Sequence, residues 1–246
     1  MVRVWSLLGW QEVRQNYRRS ILGPFWLTIS TGAMIAGVGL LYGRLLNQDL
    51  SAYFPYLAIS LVLWMLLASL TSDACQVFIA SEGYIRNLKL PLTVHVVRVI
   101  WRNMIISAHI FIIAAIFYVA LAPPLSWHLI ELPIGITLIA FNAVWLSLLL
   151  GMVSARFRDI PQIVGSLVQM AFFLTPVFWK ADMLGPNIWV AEYNPYFHFL
   201  EVVRQPLLGA SASMQSWIFV AGVSLAGSTL TLFLFARFRA RVAYWV

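Results

Sequence analysis

The sequence is short of charge, of lysine and of cysteine, and each shortage excludes a class of protein. Charged residues make up 10% of the chain and hydrophobic residues 61%, whereas about 25% of the residues of a soluble domain are charged. A surface with so little charge cannot stay hydrated everywhere, so we expect lipid to surround much of the chain. The single cysteine, Cys75, excludes an intramolecular disulfide.

The scarcity of reactive residues also excludes several catalytic motifs. The only lysines, Lys89 and Lys180, are followed by Leu90 and Ala181, so no G-x-x-x-x-G-K-[ST] phosphate loop occurs. No histidine is followed by Glu, which excludes the zinc-protease H-E-x-x-H, and no G-x-S-x-G elbow occurs. We therefore predict a chain that holds no cofactor or metal of its own.

Long stretches without Asp, Glu, Lys or Arg are the main feature that the sequence does have. Six gaps of 20 or more residues are free of these four residue types, and a spanning helix needs about 20 apolar residues. Barrel strands are shorter and alternate in polarity, so helices are favoured. We predict an all-α membrane protein of one domain, 1–246, with six spans at 25–46, 50–73, 100–122, 131–154, 160–179 and 214–236.

The basic residues fall mostly on one side of these spans. Thirteen of the 16 Lys and Arg residues lie in the N-terminal segment, the second loop, the start of the third span, the fourth loop and the tail at 237–246. Only Arg44, Lys180 and Arg204 lie on the other side. The positive-inside rule predicts that the richer side, with both termini, is cytoplasmic. Basic residues scattered over four such segments argue against nucleic-acid binding.

The N-terminal segment, 1–24, precedes the first span and is basic and aromatic. Apolar and basic positions repeat at helical spacing, which predicts a short helix at the membrane interface. An ordinary pre-membrane anchor is the alternative. The residues that define the segment are Trp10, Arg14, Tyr17, Arg18 and Arg19.

The second loop predicts a short amphipathic helix between two spans, because Pro91 ends any helix that begins near Ser81. A solvated connector and a docking surface for a cytoplasmic partner are both open interpretations. The residues concerned are Glu82, Gly83, Tyr84, Ile85, Arg86, Asn87, Leu88 and Lys89.

Small residues form a stripe on one face of the first span, at Gly32, Ala36, Gly39 and Gly43. Such a stripe allows another helix to approach closely. The approaching helix belongs either to the same chain or to a second copy.

The stretch 180–209 is irregular. Its apolar pieces, 183–191 and 196–200, are too short to span and are separated by the turn residues Asn194 and Pro195. We predict short re-entrant helices on the external side, since non-helical backbone is tolerated at depth only within protein or beside water.

Aromatic residues make up 15% of the chain, and those near span ends fit the interfacial belts of membrane proteins. Trp64, Trp145, Phe172 and Phe173 lie deeper. Uncharged aromatic faces suit sugar rings, so these four are candidates to line a channel, with packing inside the bundle as the equal alternative. The one histidine within a span, His109, is interpreted as a packing residue.

Four passages resemble one family of membrane subunits, the type-2 permeases of ATP-binding-cassette exporters that move polysaccharides such as O-antigen, capsule or teichoic-acid-type polymers. They occur in the family's order and cover nearly the whole chain. The passages are Tyr17–Trp26 with its S-x-L-G-P-x-W; Tyr53–Trp64 followed by Glu82–Pro91; Phe157–Ile160 running into Phe172–Val177; and Asn194-Pro195 leading to Arg204 and Leu207–Gly209.

The resemblance implies a homodimer whose first and fifth spans line a channel, in a bacterial inner membrane. Two separate ATPase subunits, which bind the ATP and Mg, would dock on the loop Glu82–Lys89 as a coupling helix, with Arg86 and Lys89 helping to hold them. The segment 183–208 would form the external re-entrant helices, with Asn194, Pro195 and Arg204 as gate candidates. The cargo would be an undecaprenyl-linked polysaccharide.

Two other functions are considered beside this one. The first is a permease of the same superfamily with a lipid or drug as cargo. The second is an intramembrane acyltransferase-like enzyme, which would need His109 or Asp73 for its chemistry.

Overall fold

A computed structural model describes residues 2–17, 23, 25–88, 90–121 and 126–246. The described residues are helices joined by turns and short irregular segments, and they contain no strand. The α-helices are α1 Val2–Tyr17, α2 Phe25–Leu45, α3 Leu50–Gln76, α4 Glu82–Asn87, α5 Leu92–Leu121, α6 Glu131–Arg156, α7 Ile160–Leu174, α8 Trp189–Glu192, α9 Pro195–Leu207, α10 Met214–Phe238 and α11 Val242–Trp245. The all-α prediction is confirmed.

Five of the helices, α2, α3, α5, α6 and α10, are long and apolar enough to cross a membrane. They coincide with five of the six predicted spans. The predicted span 160–179 corresponds to α7, which is apolar but has only 15 residues, and non-helical backbone follows it. The chain is thus a multi-pass membrane protein with five spans of full helical length among the described residues.

The helix of the third predicted span begins before the span does. The third span was predicted to begin at residue 100, but α5 begins at Leu92, directly after Pro91. The first two turns of α5 contain Arg98, and Arg102 follows. The charge-free run of the third span therefore begins only after these turns. Their charges do not break the helix because ion pairs and hydrogen bonds within the protein satisfy them.

The helix α3 is the centre of the bundle. In the most apolar 18 residues of α3, about 78% are buried within the protein, compared with 17–39% in the other four long helices. It packs against α2, α5, α6, α7 and α9. A helix that is apolar on all sides is buried either in protein or in lipid. Protein surrounds α3, which therefore serves as the axis on which the other elements are positioned.

The stripe of small residues on α2 packs within the chain. A Cβ added to Gly39 would lie 2.5 Å from Cε1 of Phe54 on α3, and one on Gly32 would lie 3.0 Å from Cδ1 of Ile113 on α5. Glycine is needed at Gly39 because a neighbouring aromatic ring occupies the space of its missing side chain. The stripe is therefore an intrachain contact.

Both short helices predicted beside the spans are present. In α1, Val13 is 4% exposed and faces the bundle, whereas Trp10 is 54% exposed. Trp10 and Val13, two apolar residues of α1, therefore do not share one buried face. The part of the segment at 18–22 lies outside the described residues.

The irregular segment after α7 returns into the bundle. It contains a 3-10 helix, Ala181–Asn187, followed by α8 and α9. The side chain of Asn194 accepts a hydrogen bond from the backbone N–H of Tyr196 at 3.0 Å, and Pro195 occupies the first turn, so α9 begins with a well-formed cap. Much of α9 is buried against α3, α6 and α10.

Candidate functional site

The helix α4 lies at the end of the bundle that also holds α1 and residues 237–246, which we name the basic end. No residue of α4 is buried, and Tyr84 is 42% exposed. Its internal ion pair, between Arg86 Nη2 and Glu82 Oε1 at 3.0 Å, is exposed and contributes about 0.5 kcal/mol at most. A helix of six residues is unstable alone, so contacts to the bundle must hold it.

Arg98 provides the most direct of these contacts. Its side chain is 3% exposed, and its Nη2 donates a hydrogen bond to Ser81 Oγ, at the start of α4, at 2.8 Å. The guanidinium carbon lies 5.4 Å from the centre of the Tyr84 ring, a cation–π distance. One buried cation of α5 therefore holds both the start and the exposed face of α4.

The same arginine connects α4 to α1. Arg98 Nε lies 3.2 Å from Glu12 Oε1 in an ion pair that lacks the alignment of a hydrogen bond. Arg102 Nη1 lies 3.3 Å from Glu12 Oε2, and Arg102 Nη2 lies 2.6 Å from Asp73 Oδ2. Two arginines of α5 thus join carboxylates of α1 and α3. We name Glu12, Asp73, Arg98 and Arg102 the basic-end network.

Apolar contacts support the network on the side of α1. The rings of Trp5 and Trp101 meet edge to face with centroids 5.7 Å apart. A Cβ on Gly9 would lie 3.0 Å from Cδ1 of Trp101 and 3.1 Å from the carbonyl oxygen of Arg98. The helix α1 is consequently seated directly on the first turns of α5.

The structure places most of the predicted interface residues at this end. Trp10 and Arg14 are exposed on α1, and Tyr84, Arg86, Asn87 and Leu88 are exposed on or beside α4. Arg18, Arg19 and Lys89 and the side chain of Tyr17 lie outside the described residues. Arg86 also donates a hydrogen bond to the carbonyl of Val246, so α11 contacts α4.

A second feature is a line of polar side chains on the exposed face of α7. Gln162, Ser166 and Gln169 occur at i, i+4 and i+7, and Phe173 follows at i+11. All four are exposed and lie opposite Val168, which is buried against the bundle. The amide groups of Gln162 and Gln169 have no hydrogen-bond partner within the part of the chain that the structure describes. We name these four residues the α7 line.

The four aromatic candidates for a channel lining occupy different positions. Phe173, in the α7 line, is 62% exposed. Trp64 is 7% exposed, with its ring centre 5.4 Å from that of Phe172. Trp145 Nε1 donates to Asn142 Oδ1 at 2.8 Å, and the indole packs against Gly227. Phe173 is thus exposed, whereas Trp64 and Trp145 pack between helices.

The opposite end of the bundle is held by Arg204. Although it was predicted as a gate residue, its side chain is 2% exposed. The guanidinium pairs with Glu201 and donates to Tyr56 Oη at 2.9 Å, to Ser60 Oγ at 3.0 Å and to the Pro176 carbonyl at 2.6 Å. Arg204 therefore joins α9 to α3 and to the backbone after α7. Asn194 contacts the same backbone by donating to Thr175 Oγ1 at 2.8 Å.

The residues that an intramembrane enzyme would need are engaged in structural contacts. Asp73 Oδ2 accepts from Arg102 and, at 2.8 Å, from Asn103 Nδ2. His109 Nδ1 lies 2.7 Å from the carbonyl of Ile105, one turn earlier in α5. No group of three or more His, Cys, Asp or Glu residues within the described ranges could hold a metal ion. Asp73 therefore joins α3 to α5, and His109 contacts the backbone of its own helix.

Three residues of the basic-end network are not among the site residues that the sequence predicts. They are Glu12, Arg98 and Arg102. The spacing of the two arginines at i, i+4 places both on one face of a helix, and that signal was available. The polar positions of α7 at i, i+4 and i+7 were likewise visible within an otherwise apolar run.

The chain is similar in sequence to known proteins. A family model described as ABC-2 type transporter matches residues 3–208. Two O-antigen export system permease proteins RfbA of Klebsiella pneumoniae are each 22% identical over 242 and 243 residues, which cover 93% of this chain and 90% of theirs. An O-antigen export system permease protein RfbA of Myxococcus xanthus is 20% identical over 177 residues, 71% of this chain and 67% of its own.

Proposed function

Because the chain belongs to the ABC-2 type transporter family, we propose that it is the permease of an exporter that moves a lipid-linked polysaccharide out of a bacterial cytoplasm. The chain is a transport permease and not an enzyme. ATP hydrolysis in this family belongs to a separate subunit. Similarity to O-antigen permeases along 93% of the chain supports the class of cargo.

The α7 line carries the proposal of a polysaccharide cargo. Unpaired amide groups facing hydrocarbon are costly, so Gln162 and Gln169 are expected to face water or another protein surface. Uncharged hydrogen-bonding side chains beside an exposed ring, Phe173, match a sugar chain, which offers hydroxyl groups and apolar C–H faces. We place the α7 line on the wall of the channel, formed by α2 and α7 of two copies.

A sixth crossing through α7 is consistent with its length. Fifteen helical residues span about 22 Å, and the five residues 175–179 add up to about 16 Å when extended, which together exceed a hydrocarbon core of about 30 Å. Carbonyls of the non-helical part have partners within the protein. Tyr53 donates to Phe178 at 2.5 Å, and the single O–H of Tyr56 lies within hydrogen-bond distance of the carbonyls of Pro176 and Trp179, at 2.9 and 2.8 Å. In this topology α8 and α9 are re-entrant and external.

The basic end is the cytoplasmic side in this proposal. More Lys and Arg residues lie at the basic end than at the opposite end, as the positive-inside rule requires of cytoplasmic loops. Both termini then lie in the cytoplasm, and the membrane is the bacterial inner membrane. ATP and Mg are bound by the partner ATPase subunits, one for each of the two permease copies.

The helix α4 is the proposed coupling element. It has an exposed surface for the ATPase and a buried connection through Arg98 to α5 and α1. A displacement of α4 would therefore move the first turns of α5. The predicted ATPase contact comprises the residues Glu82–Lys89 of the loop and the exposed side of α1 with Trp10 and Arg14.

Charge reversal on the coupling loop is expected to release the ATPase. R86E combined with K89E should reduce copurification of the ATPase subunit at least about tenfold, because like charges across an interface cost several kcal/mol. The measurement is a pull-down from detergent-solubilised membranes. R44E with K180E makes the same charge change at the opposite end and should leave copurification intact; equal binding by both double variants would contradict the docking role.

Loss of the chain is expected to leave polymer inside the cell. A deletion strain should accumulate polymer on its lipid carrier in the inner leaflet, measured as polymer that a glycosidase or an antibody reaches in inverted but not in intact membranes. Export in a deletion strain complemented with Q162L/Q169L should be about 30-fold lower than with the native chain, since two lost hydrogen bonds of about 1 kcal/mol each amount to about 2 kcal/mol.

The control for the α7 line lies on the same helix. I163L/M170L changes two exposed apolar residues of α7 and should restore export fully. Polymer export that persists in the deletion strain, together with loss of efflux of a lipid or drug, would instead identify a permease for that other cargo.

A further inference from the structure

A groove at the basic end lies between α6 and α10, and Trp245 of α11 forms one of its walls. Its volume is about 340 Å³. The walls are apolar and are formed by Leu149, Met152, Val153, Leu234, Phe238 and Trp245. No residue of α7 lines it, so the groove is separate from the proposed channel wall.

Phe157 and two arginines complete the lining; Arg156 lies at the end of α6 and Arg241 just before α11. The Arg156 guanidinium lies 6.0 Å from the centre of the Trp245 ring, and that of Arg241 lies 5.8 Å from the Phe238 ring. These aromatic faces keep the cations beside the groove. Neither arginine has a carboxylate or hydrogen-bond partner in the described part of the chain.

The surroundings increase the positive charge. Arg158, Arg237 and Arg239 lie on the same two segments, and none of them pairs with a carboxylate among the residues described. The acidic residue of these segments, Asp159, is outnumbered five to one by the arginines. The groove therefore has an apolar interior and a rim on which positive charge is in excess.

The depth of the groove fits one class of molecule. Its walls belong to the last turns of two helices that can cross a membrane, and its rim lies where both helices end. Lipid phosphates lie at this level, with acyl chains on the apolar side. Basic pockets between the ends of spanning helices suit anionic head groups.

We propose that this groove binds an anionic phospholipid of the surrounding leaflet, with its phosphate at Arg156 and Arg241 and an acyl chain between α6 and α10. The lipid supports α11 from the membrane side. Because α11 contacts α4 through Val246 and Arg86, the bound lipid stabilises the position of the coupling helix.

Quenching of Trp245 fluorescence by brominated lipids tests the site. The purified chain is reconstituted in phosphatidylcholine bilayers that contain brominated phosphatidylglycerol or brominated phosphatidylcholine, and the signal of W245F is subtracted. At equal mole fraction the anionic lipid should quench Trp245 at least about fivefold more strongly, the effect of one arginine near an anionic surface. In R156Q/R241Q this ratio should fall to about one.

A matched control removes the same charge elsewhere. R44Q/K180Q loses two cations at the opposite end and should keep the native ratio. A native ratio near one, or a ratio unchanged in R156Q/R241Q, would overturn the proposal.

Competition with unlabelled lipids in the native chain needs no further variant. Phosphatidylglycerol should relieve the quenching by brominated phosphatidylglycerol, whereas phosphatidylcholine should not. If a polyprenyl diphosphate relieves it at a lower mole fraction than phosphatidylglycerol does, the groove belongs to the cargo and the proposal is wrong.

Discussion

Replacement of Arg98 by methionine is expected to lower export at least about tenfold while the ATPase subunit still copurifies. The exposed face of α4 remains available for docking. Ser81, at the start of α4, loses its hydrogen bond from Arg98, and the Tyr84 ring loses the cation above it. The network also loses the link from α4 to Glu12. Movement of the docked ATPase then no longer reaches α5. Export in the complemented deletion strain and ATPase copurification are the two measurements.

Two further substitutions separate coupling from simple loss of stability. R102M breaks the ion pairs of α5 with Glu12 and Asp73 but leaves the contacts of Arg98 with α4 intact, so export should fall less than in R98M. R98K retains the charge but lacks the planar fork that reaches several partners at once, and it should restore only part of the export. If R98M and R102M are equally impaired, Arg98 has no special role in holding α4.

Replacement of Arg204 by leucine is expected to reduce the free energy of unfolding by about 3–5 kcal/mol, the cost of breaking a buried ion pair from one side. Glu201, which is 7% exposed, would keep its charge without the cation. The carbonyl of Pro176 and the Ser60 hydroxyl would also lose a donor. Unfolding in mixed micelles with increasing SDS, followed by helical circular dichroism, measures the loss.

Comparison variants identify the cause of that loss. R44L removes an exposed arginine at the same end of the bundle and should change stability by no more than about 0.5 kcal/mol. In E201Q/R204M no carboxylate is left unpaired, so we expect more than half of the lost stability to return. Equal stability of R204L and R44L would show that the buried contacts of Arg204 do not support the fold.

The parts of the fold that follow from solvation could be predicted from the sequence. Hydrocarbon excludes charge over about 20 residues whatever the tertiary structure, so the gap from Asp49 to Asp73 indicated α3 directly. The same rule failed at the start of α5, where Arg98 and Arg102 are tolerated because partners from other helices neutralise them. A charge inside a helix can be interpreted from sequence only when its partner is known.

The candidate site depends on such partners and was therefore less predictable. Arg102 and Glu12 are 90 positions apart in the chain, and nothing in the local pattern joins them. The short helix α4 followed from Pro91, a local signal. Its connection to the bundle required the packing of α1 on α5, in which Gly9 and Trp101 take part, and that packing depends on the whole arrangement.

The hydrogen bonds around Arg204 also determine when during synthesis the protein can be completed. Tyr56 and Ser60 precede Arg204 by 148 and 144 residues, which corresponds to roughly 7–30 s of translation. During this interval the central helix is already inserted, yet the cation that binds its hydroxyl groups has not been made. The buried contacts between α3 and Arg204 can therefore form only after α9 has been made, and the last third of the chain, rather than the first spans, completes the core.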